Sequence, residues 1–271
     1  MSAPAPAASR LNNLRDLGGI PVAGGVIADG HLFRSDDVST VPAEEARELW
    51  ERGIRTIIDL RSPAEADHTG RGPLGDLPTE YHRLSLLRGG AEPDEFLRHL
   101  RERSATAQTV GGYYAATLVA EADTIGQGIR TITAASGGTL FHCAAGKDRT
   151  GIFAAGLLAV LGADNEEIAD DYARSSVAVP RIMARVSASI GHLMGESDAY
   201  FQAVANGSGD VSPLLGAERD AMLAMLDELD RTHGGVAAVL RSAGLADDTV
   251  AQLRARVVER TRPSAVAPVA E

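Results

Sequence analysis

The apolar positions of this chain fall into short runs and longer helical patterns. Apolar runs predict strands at residues 54–60 and 138–142, the second opened by a Gly-Gly turn, and residues 81–86 read as another. Helical patterns occupy residues 42–52, 94–103, 110–135 in one or two pieces, 150–162, 166–174, 179–194 and 218–231. The first of these has Pro42 in its opening turn, Glu44 and Glu45 near the positive end and Gly53 as its stop. Trp50, the only tryptophan, reads there as a core anchor. Residues 150–162 are rich in Ala, Leu, Ile and Val, the composition of a buried helix. Asp164 with Glu167 three positions on marks the start of the next helix. Residues 206–213 form a polar loop, and no internal repeat is present. Alternating helix and strand predict an α/β domain with a central, largely parallel sheet flanked by helices, followed by a helical C-terminal part.

A chain of 271 residues, 44% hydrophobic and 23% charged, is long enough to bury one sizeable core. One domain over residues 11–260 is expected, between a flexible leader at 1–10 and a flexible tail at 261–271. The longest apolar run, about 13 residues from Gly151 to Ala163, is too short to span a bilayer. The opening Ser-Ala-Pro-Ala-Pro-Ala-Ala-Ser lacks the basic start and apolar stretch of a secretory signal. Cytoplasmic residence is therefore the expectation, although signal-independent export would leave no mark in a sequence. A net charge of −11 argues against a nucleic-acid surface, which needs a broad basic footprint. Seven scattered histidines and one cysteine make no zinc set, so neither a metal nor another cofactor is expected. The sequence is silent on oligomeric state.

Against this acidic background the only cysteine and the only lysine stand four positions apart. Cys143 and Lys147 lie within His142-Cys143-Ala144-Ala145-Gly146-Lys147-Asp148-Arg149-Thr150-Gly151. Arginine serves every other basic position, so a lysine here suggests a compact ammonium that approaches an anion as a point charge. A strand, a small-residue loop and a helix in succession bring backbone N–H groups and the positive helix end together on an anion. The same field favours the thiolate form of a thiol at the start of such a loop, which makes Cys143 the candidate nucleophile. Arg149 stands at the helix entrance, where a planar guanidinium can hold two phosphate oxygens. Thr150 offers a hydroxyl back to the sulfur.

Cys-x5-Arg-Thr, preceded by His142 and followed by Gly151, resembles the phosphate loop of the cysteine-dependent protein tyrosine phosphatases. The extended run is most similar to the PtpB-like bacterial phosphatases acting on phosphotyrosine and phosphoinositides. Asn13 to Gly19, Leu32-Phe33-Arg34-Ser35, Asp59-Leu60-Arg61-Ser62 and Asp171-Tyr172-Ala173-Arg174-Ser175 extend the resemblance over most of residues 11–260. It implies a protein-tyrosine-phosphatase-like fold and a two-step phosphoryl transfer through a phosphocysteine on Cys143. Ala144, Ala145, Gly146, Lys147 and Arg149 would bind the phosphate, and Thr150 would ease departure of the sulfur. His142 would orient the loop from below rather than touch substrate, while Asp59 and Arg61 would brace the sheet end. No aspartate directly follows residues 81–86, where many members of the superfamily carry their general acid. Asp148 is the first candidate for that acid, since bound phosphate beside it would favour its protonated form. Asp94 is the alternative, with helix capping as its other reading.

The implied substrates are phosphorylated proteins, phosphotyrosine first, with phosphoserine, phosphothreonine and phosphoinositides within the same breadth. Lys147 serves either a second phosphate or only the one being hydrolysed. Residues 179–201, including Arg181, Met183 and Arg185, are either a cover over the site, as the resemblance implies, or a packing helix. The other functional reading is a catalytically weak phosphate-binding module. An arsenate reductase is disfavoured, because its chemistry requires further cysteines.

Overall fold

The computed structural model describes residues 11–86, 106–179, 181 and 216–260. Its central sheet has the strand order β1 (Arg15–Asp16), β4 (Leu32–Ser35), β7 (Gly138–His142), β5 (Ile54–Asp59) and β6 (Glu80–Arg83). β1 runs antiparallel to β4, and every other neighbour pair is parallel. Register places Ser35 and Asp59 on either side of His142, so three strands end together where residues 143–147 leave β7. In open parallel sheets, ligands bind beyond the carboxyl ends of the strands. A second sheet joins β2 (Pro21–Val22), β3 (Gly25–Ile27) and β8 (Val258–Glu259) in antiparallel order.

Side-chain alternation along the strands fills both faces of the central sheet. Phe33, Ile57 and Leu140 face a smaller core that includes Ala46 and Leu49 of α1 (Ala43–Glu51). Leu32, Ile58 and Phe141 face the larger core. That core is built from α3 (Ala107–Ala120), α4 (Ala122–Ala134), α5 (Asp148–Leu161), α6 (Asn165–Ala173), α7 (Arg219–His233), α8 (Val236–Ser242) and α9 (Asp247–Val257). The short α2 (Pro63–Thr69) opens with a Ser62–Glu65 capping box and Pro63 in its first turn. α5 is buried along most of its length and stops at Gly162, whose φ of 78° suits a residue without a Cβ.

Several expectations shift. α5 begins at Asp148 rather than at residue 150, so the loop before it is only five residues long. The 110–135 pattern divides into α3 and α4 at the buried Glu121. Asp164 occupies the cap position of α6, yet its side chain makes no capping hydrogen bond. Trp50 is not a core anchor: one step beyond the buried Leu49 it turns half outward, and the Arg55 guanidinium lies 4.1 Å above its ring. α2, α8, α9, the central strand β4 and the short strands β1, β2, β3 and β8 had no predicted element. The expected helix at 94–103 and nearly all of that at 179–194 lie outside the described residues. Among the described residues, no helix is long and apolar enough to cross a membrane.

The α3–α7 contact requires Gly111, where a Cβ would stand 2.6 Å from Ala224 Cβ and 2.8 Å from the Ala221 carbonyl oxygen. Helix propensity alone favours alanine over glycine by ~1 kcal/mol, whereas overpacking costs about 1–3 kcal/mol. Gly111→Ala should therefore lower stability, read as a lower midpoint in urea with an unchanged slope.

Candidate active site

The loop from Cys143 to Lys147 is held from behind by its carbonyl groups. Asn13 Nδ2 donates to the Gly146 carbonyl at 2.9 Å and to that of Ala145 at 3.3 Å. Arg34 Nη2 also donates to the Gly146 carbonyl at 2.9 Å, and the Asp37 amide donates to that of Ala144 at 3.2 Å. A planar trans peptide points its N–H opposite to its C=O. Fixing these three carbonyls therefore turns the amides of Ala145, Gly146 and Lys147 toward the opposite face of the loop, at the start of α5. Gly146 adopts φ +65° with the Ser35 carbonyl oxygen 2.4 Å from where a Cβ would lie, so only glycine fits.

The anchors themselves are anchored by one carboxylate. Asp171 accepts from Arg34 Nη1 at 2.5 Å and from Arg15 Nε at 2.9 Å. Burial pushes the Asp171 carboxyl up, but the charges of Arg34 and Arg15 outweigh it and hold the group ionised. Burial and the neighbouring Arg34 in turn lower Arg15 to about 10. Ser175 Oγ accepts from Asn13 Nδ2 and Arg15 Nη2, and Asp36 accepts from the amides of Asn12 and Asn13. The sequence stretches around Asn13, Arg34 and Asp171 thus meet behind one loop.

Asp59 and Arg61 form a second buried pair at the sheet end, 2.6 Å apart, with Arg61 also donating to Asp37 at 3.0 Å. Burial raises the Asp59 carboxyl, but hydrogen bonds from Arg61 and the Tyr81 hydroxyl bring it well below the usual carboxylate range. His142 is fully buried next to them, with Nδ1 3.3 Å from the Cys143 carbonyl oxygen and Nε2 3.9 Å from Asp59 Oδ1. Burial outweighs the pull of Asp59 and keeps the ring neutral at pH 7.

On the open side, Cys143 is a free thiol, 2% exposed, at the end of β7. Arg149 makes a two-pronged pair with Glu65, Nη1 to Oε2 at 2.5 Å and Nη2 to Oε1 at 2.8 Å. Burial raises the Glu65 carboxyl, but the hydrogen bonds and charge of Arg149 prevail and bring it down to about 2. Lys147 Nζ lies 2.9 Å from Asp148 Oδ1 and donates to the Gly216 carbonyl at 3.3 Å. Burial lowers the Lys147 ammonium, but the Asp148 charge raises it further, so it stays charged. Thr150 Oγ1 is buried with no hydrogen-bond partner among the described residues.

For Asp148 the sequence left two readings, an acid kept protonated by a bound phosphate or a carboxylate paired with an arginine, and the structure pairs it with Lys147 instead. Burial does push its carboxyl up, but Lys147 and the Tyr114 hydroxyl pull harder the other way and hold it below the usual value. Asp94 lies outside the described residues. Among the described residues, no three His, Cys, Asp or Glu side chains cluster to hold a metal. Sequence reasoning missed Glu65 and Tyr114, and it quoted Tyr172 only within a stretch that carries the resemblance, with no role of its own. Ser62-Pro63-Ala64-Glu65 carried a legible signal as a capping box, whereas the two tyrosines look like ordinary core aromatics.

Two measurements follow from these pairs. Asp171→Ala leaves Arg34 buried without its anion and should cost about 3–5 kcal/mol of stability in denaturant. The Arg149–Glu65 pair contributes fully above the ordinary glutamate value of 4.5 and is lost as pH falls through about 2. The stability difference between the wild type and Glu65→Gln should therefore shrink as pH drops across that window.

A family model described as the tyrosine phosphatase family matches residues 6–259. The triple specificity protein phosphatase PtpB of Mycobacterium tuberculosis is 29% identical over 89% of this chain and 95% of its own length. A tyrosine-protein phosphatase of Nostoc commune is 27% identical over 83% of this chain and 74% of its own. The matched span runs through the anchors near residue 13, the loop after β7 and the final short strand, and on that footing the chain belongs to the tyrosine phosphatase family and is a phosphatase.

Proposed function

We propose that this phosphatase hydrolyses phosphotyrosine in proteins through a phosphocysteine formed on Cys143. The observation that carries the reading is the loop whose carbonyls are pinned by Asn13, Arg34 and the Asp37 amide. This pinning preorganises an amide face at the start of α5, where it costs no reorganisation during reaction. Cys143, as thiolate, attacks phosphorus in line. The sulfur–phosphorus bond forms as the phosphorus–oxygen bond breaks, and the leaving oxygen takes that electron pair with a proton from Asp148. Arg149, the loop amides of residues 144–149 and Lys147 hold the equatorial oxygens. Water then attacks the phosphocysteine, returns a proton to Asp148 and expels the sulfur, which receives a hydrogen bond from the Thr150 hydroxyl, a group with no partner among the described residues.

His142, Asp59 and Arg61 keep the end of β7 in place beneath the sulfur. The catalytic unit is a single domain over residues 11–260. The relative named for triple specificity supports extending the substrates to phosphoserine, phosphothreonine and phosphoinositides. The low-lying Asp148 carboxyl supports strongest turnover of poor leaving groups on the acid side, falling as the acid loses its proton.

Phosphate release without added metal from an aryl phosphate, a phosphotyrosine peptide and a monophosphoinositide tests the reading. Cys143→Ser should lose roughly 10⁴-fold or more in turnover while still binding tungstate, and Arg149→Ala should lose both. Tungstate binding by a wild type that turns over none of the three would replace the reading with a phosphate-binding module.

A further inference from the structure

Asp148 ends a chain of hydrogen bonds that the steps above do not use. Tyr114 is buried, and burial together with the Asp148 charge keeps its proton in place. That single proton goes to Asp148 Oδ1. The 2.8 Å contact between the two tyrosine hydroxyls must then be a donation from Tyr172 to Tyr114. Lys147 Nζ lies 2.9 Å from Asp148 Oδ1, and its charge also acts on the Tyr172 hydroxyl. The donors therefore run from Tyr172 through Tyr114 to Asp148 Oδ1, where Lys147 also ends, and within this chain the first bond polarises the second.

Oδ1 thus takes two donors, while Oδ2 has no hydrogen bond among the described residues. The side chain of Asp148 is 31% exposed, whereas Tyr114 and Tyr172 are 0% and 1% exposed. We propose that Tyr114, braced by Tyr172, is the positioning residue of the general acid, gripping Asp148 by Oδ1 so that Oδ2 carries the proton delivered to the leaving oxygen. The inference rests on Asp148 being that acid. An oxygen already accepting two hydrogen bonds is the less basic of the pair, so the proton binds at Oδ2. As the phosphorus–oxygen bond breaks, the Oδ2 proton passes to the leaving oxygen and the negative charge left on the carboxylate is met by Tyr114 and Lys147. The charged groups around Asp148 are Lys147 from the loop, Arg149 on its own helix with Glu65 of α2 behind it, and Arg34 of β4 behind Tyr172 of α6.

The test compares kcat against pH for wild type, Tyr114→Phe, Tyr172→Phe and Asp148→Asn, each on p-nitrophenyl phosphate and on phenyl phosphate, a poorer leaving group. Losing a donor to the carboxylate disfavours its charged form, so the acid keeps its proton to higher pH. The basic limb of Tyr114→Phe should move to higher pH. Turnover of phenyl phosphate should fall about 10-fold, the scale of one hydrogen bond to a charged group, and that of p-nitrophenyl phosphate by less. Tyr172→Phe should shift the same way by a smaller amount, and it carries the test if Tyr114→Phe does not fold. Basic limbs coincident with wild type, or equal losses on both substrates, would reduce the tyrosines to packing and overturn the proposal. A separate failure is readable in Asp148→Asn: if its loss is the same for both leaving groups, Asp148 is not the acid.

Discussion

Two arginines buried behind a loop need an anion, and Asp171 is shared between them. Breaking such an arrangement at one member leaves an uncompensated charge in a poorly solvated interior, a penalty larger than the net worth of the intact pair. The carboxylate therefore fixes where Arg34 lies, and Arg34 fixes the carbonyl of Gly146. Turning that peptide over would strand both the guanidinium and the carbonyl. The anion-facing geometry of the loop is in this sense the far end of an ion-pair problem solved on its other side.

The open side repeats the solution with different consequences. Arg149 is matched by Glu65 and Lys147 by Asp148, so the cations of the site arrive already paired within a strongly acidic protein. The back pairs are sealed among buried groups. The front pairs keep part of their carboxylates in contact with solvent, 24% for Glu65 and 31% for Asp148. An incoming phosphate meets guanidinium and ammonium groups held in position by partners it can share or displace.

The parallel strands β5 and β7, the loop and the helix after it were legible because their signals are local: apolar runs, a glycine turn, and a cysteine and a lysine used once each. β1, β2, β3 and β8 were not, since two- or three-residue pairings carry no periodicity. Trp50 misled because its bulk suggested a fully interior place, while its position on α1 leaves it only partly buried. Glu65 could have been found from its capping box, although nothing in that pattern points to Arg149 84 residues away. Tyr114 and Tyr172 were illegible for a deeper reason: a hydroxyl that tunes a carboxylate and a tyrosine that merely packs leave the same mark in a sequence.

The bond from Asn13 to Ser175 spans 162 positions and that from Arg15 to Asp171 spans 156. The phosphate-loop motif is contiguous, yet the groups that stiffen it come from both sides of it along the chain, with Gly216 reaching Lys147 from 69 positions downstream. Excised as a strand–loop–helix peptide, residues 138–162 would retain every letter of the motif and none of its rigidity. A nascent chain on the ribosome likewise holds the complete motif well before the segments that fix it have been made, so the loop becomes a binding surface only when distant parts of the polypeptide dock.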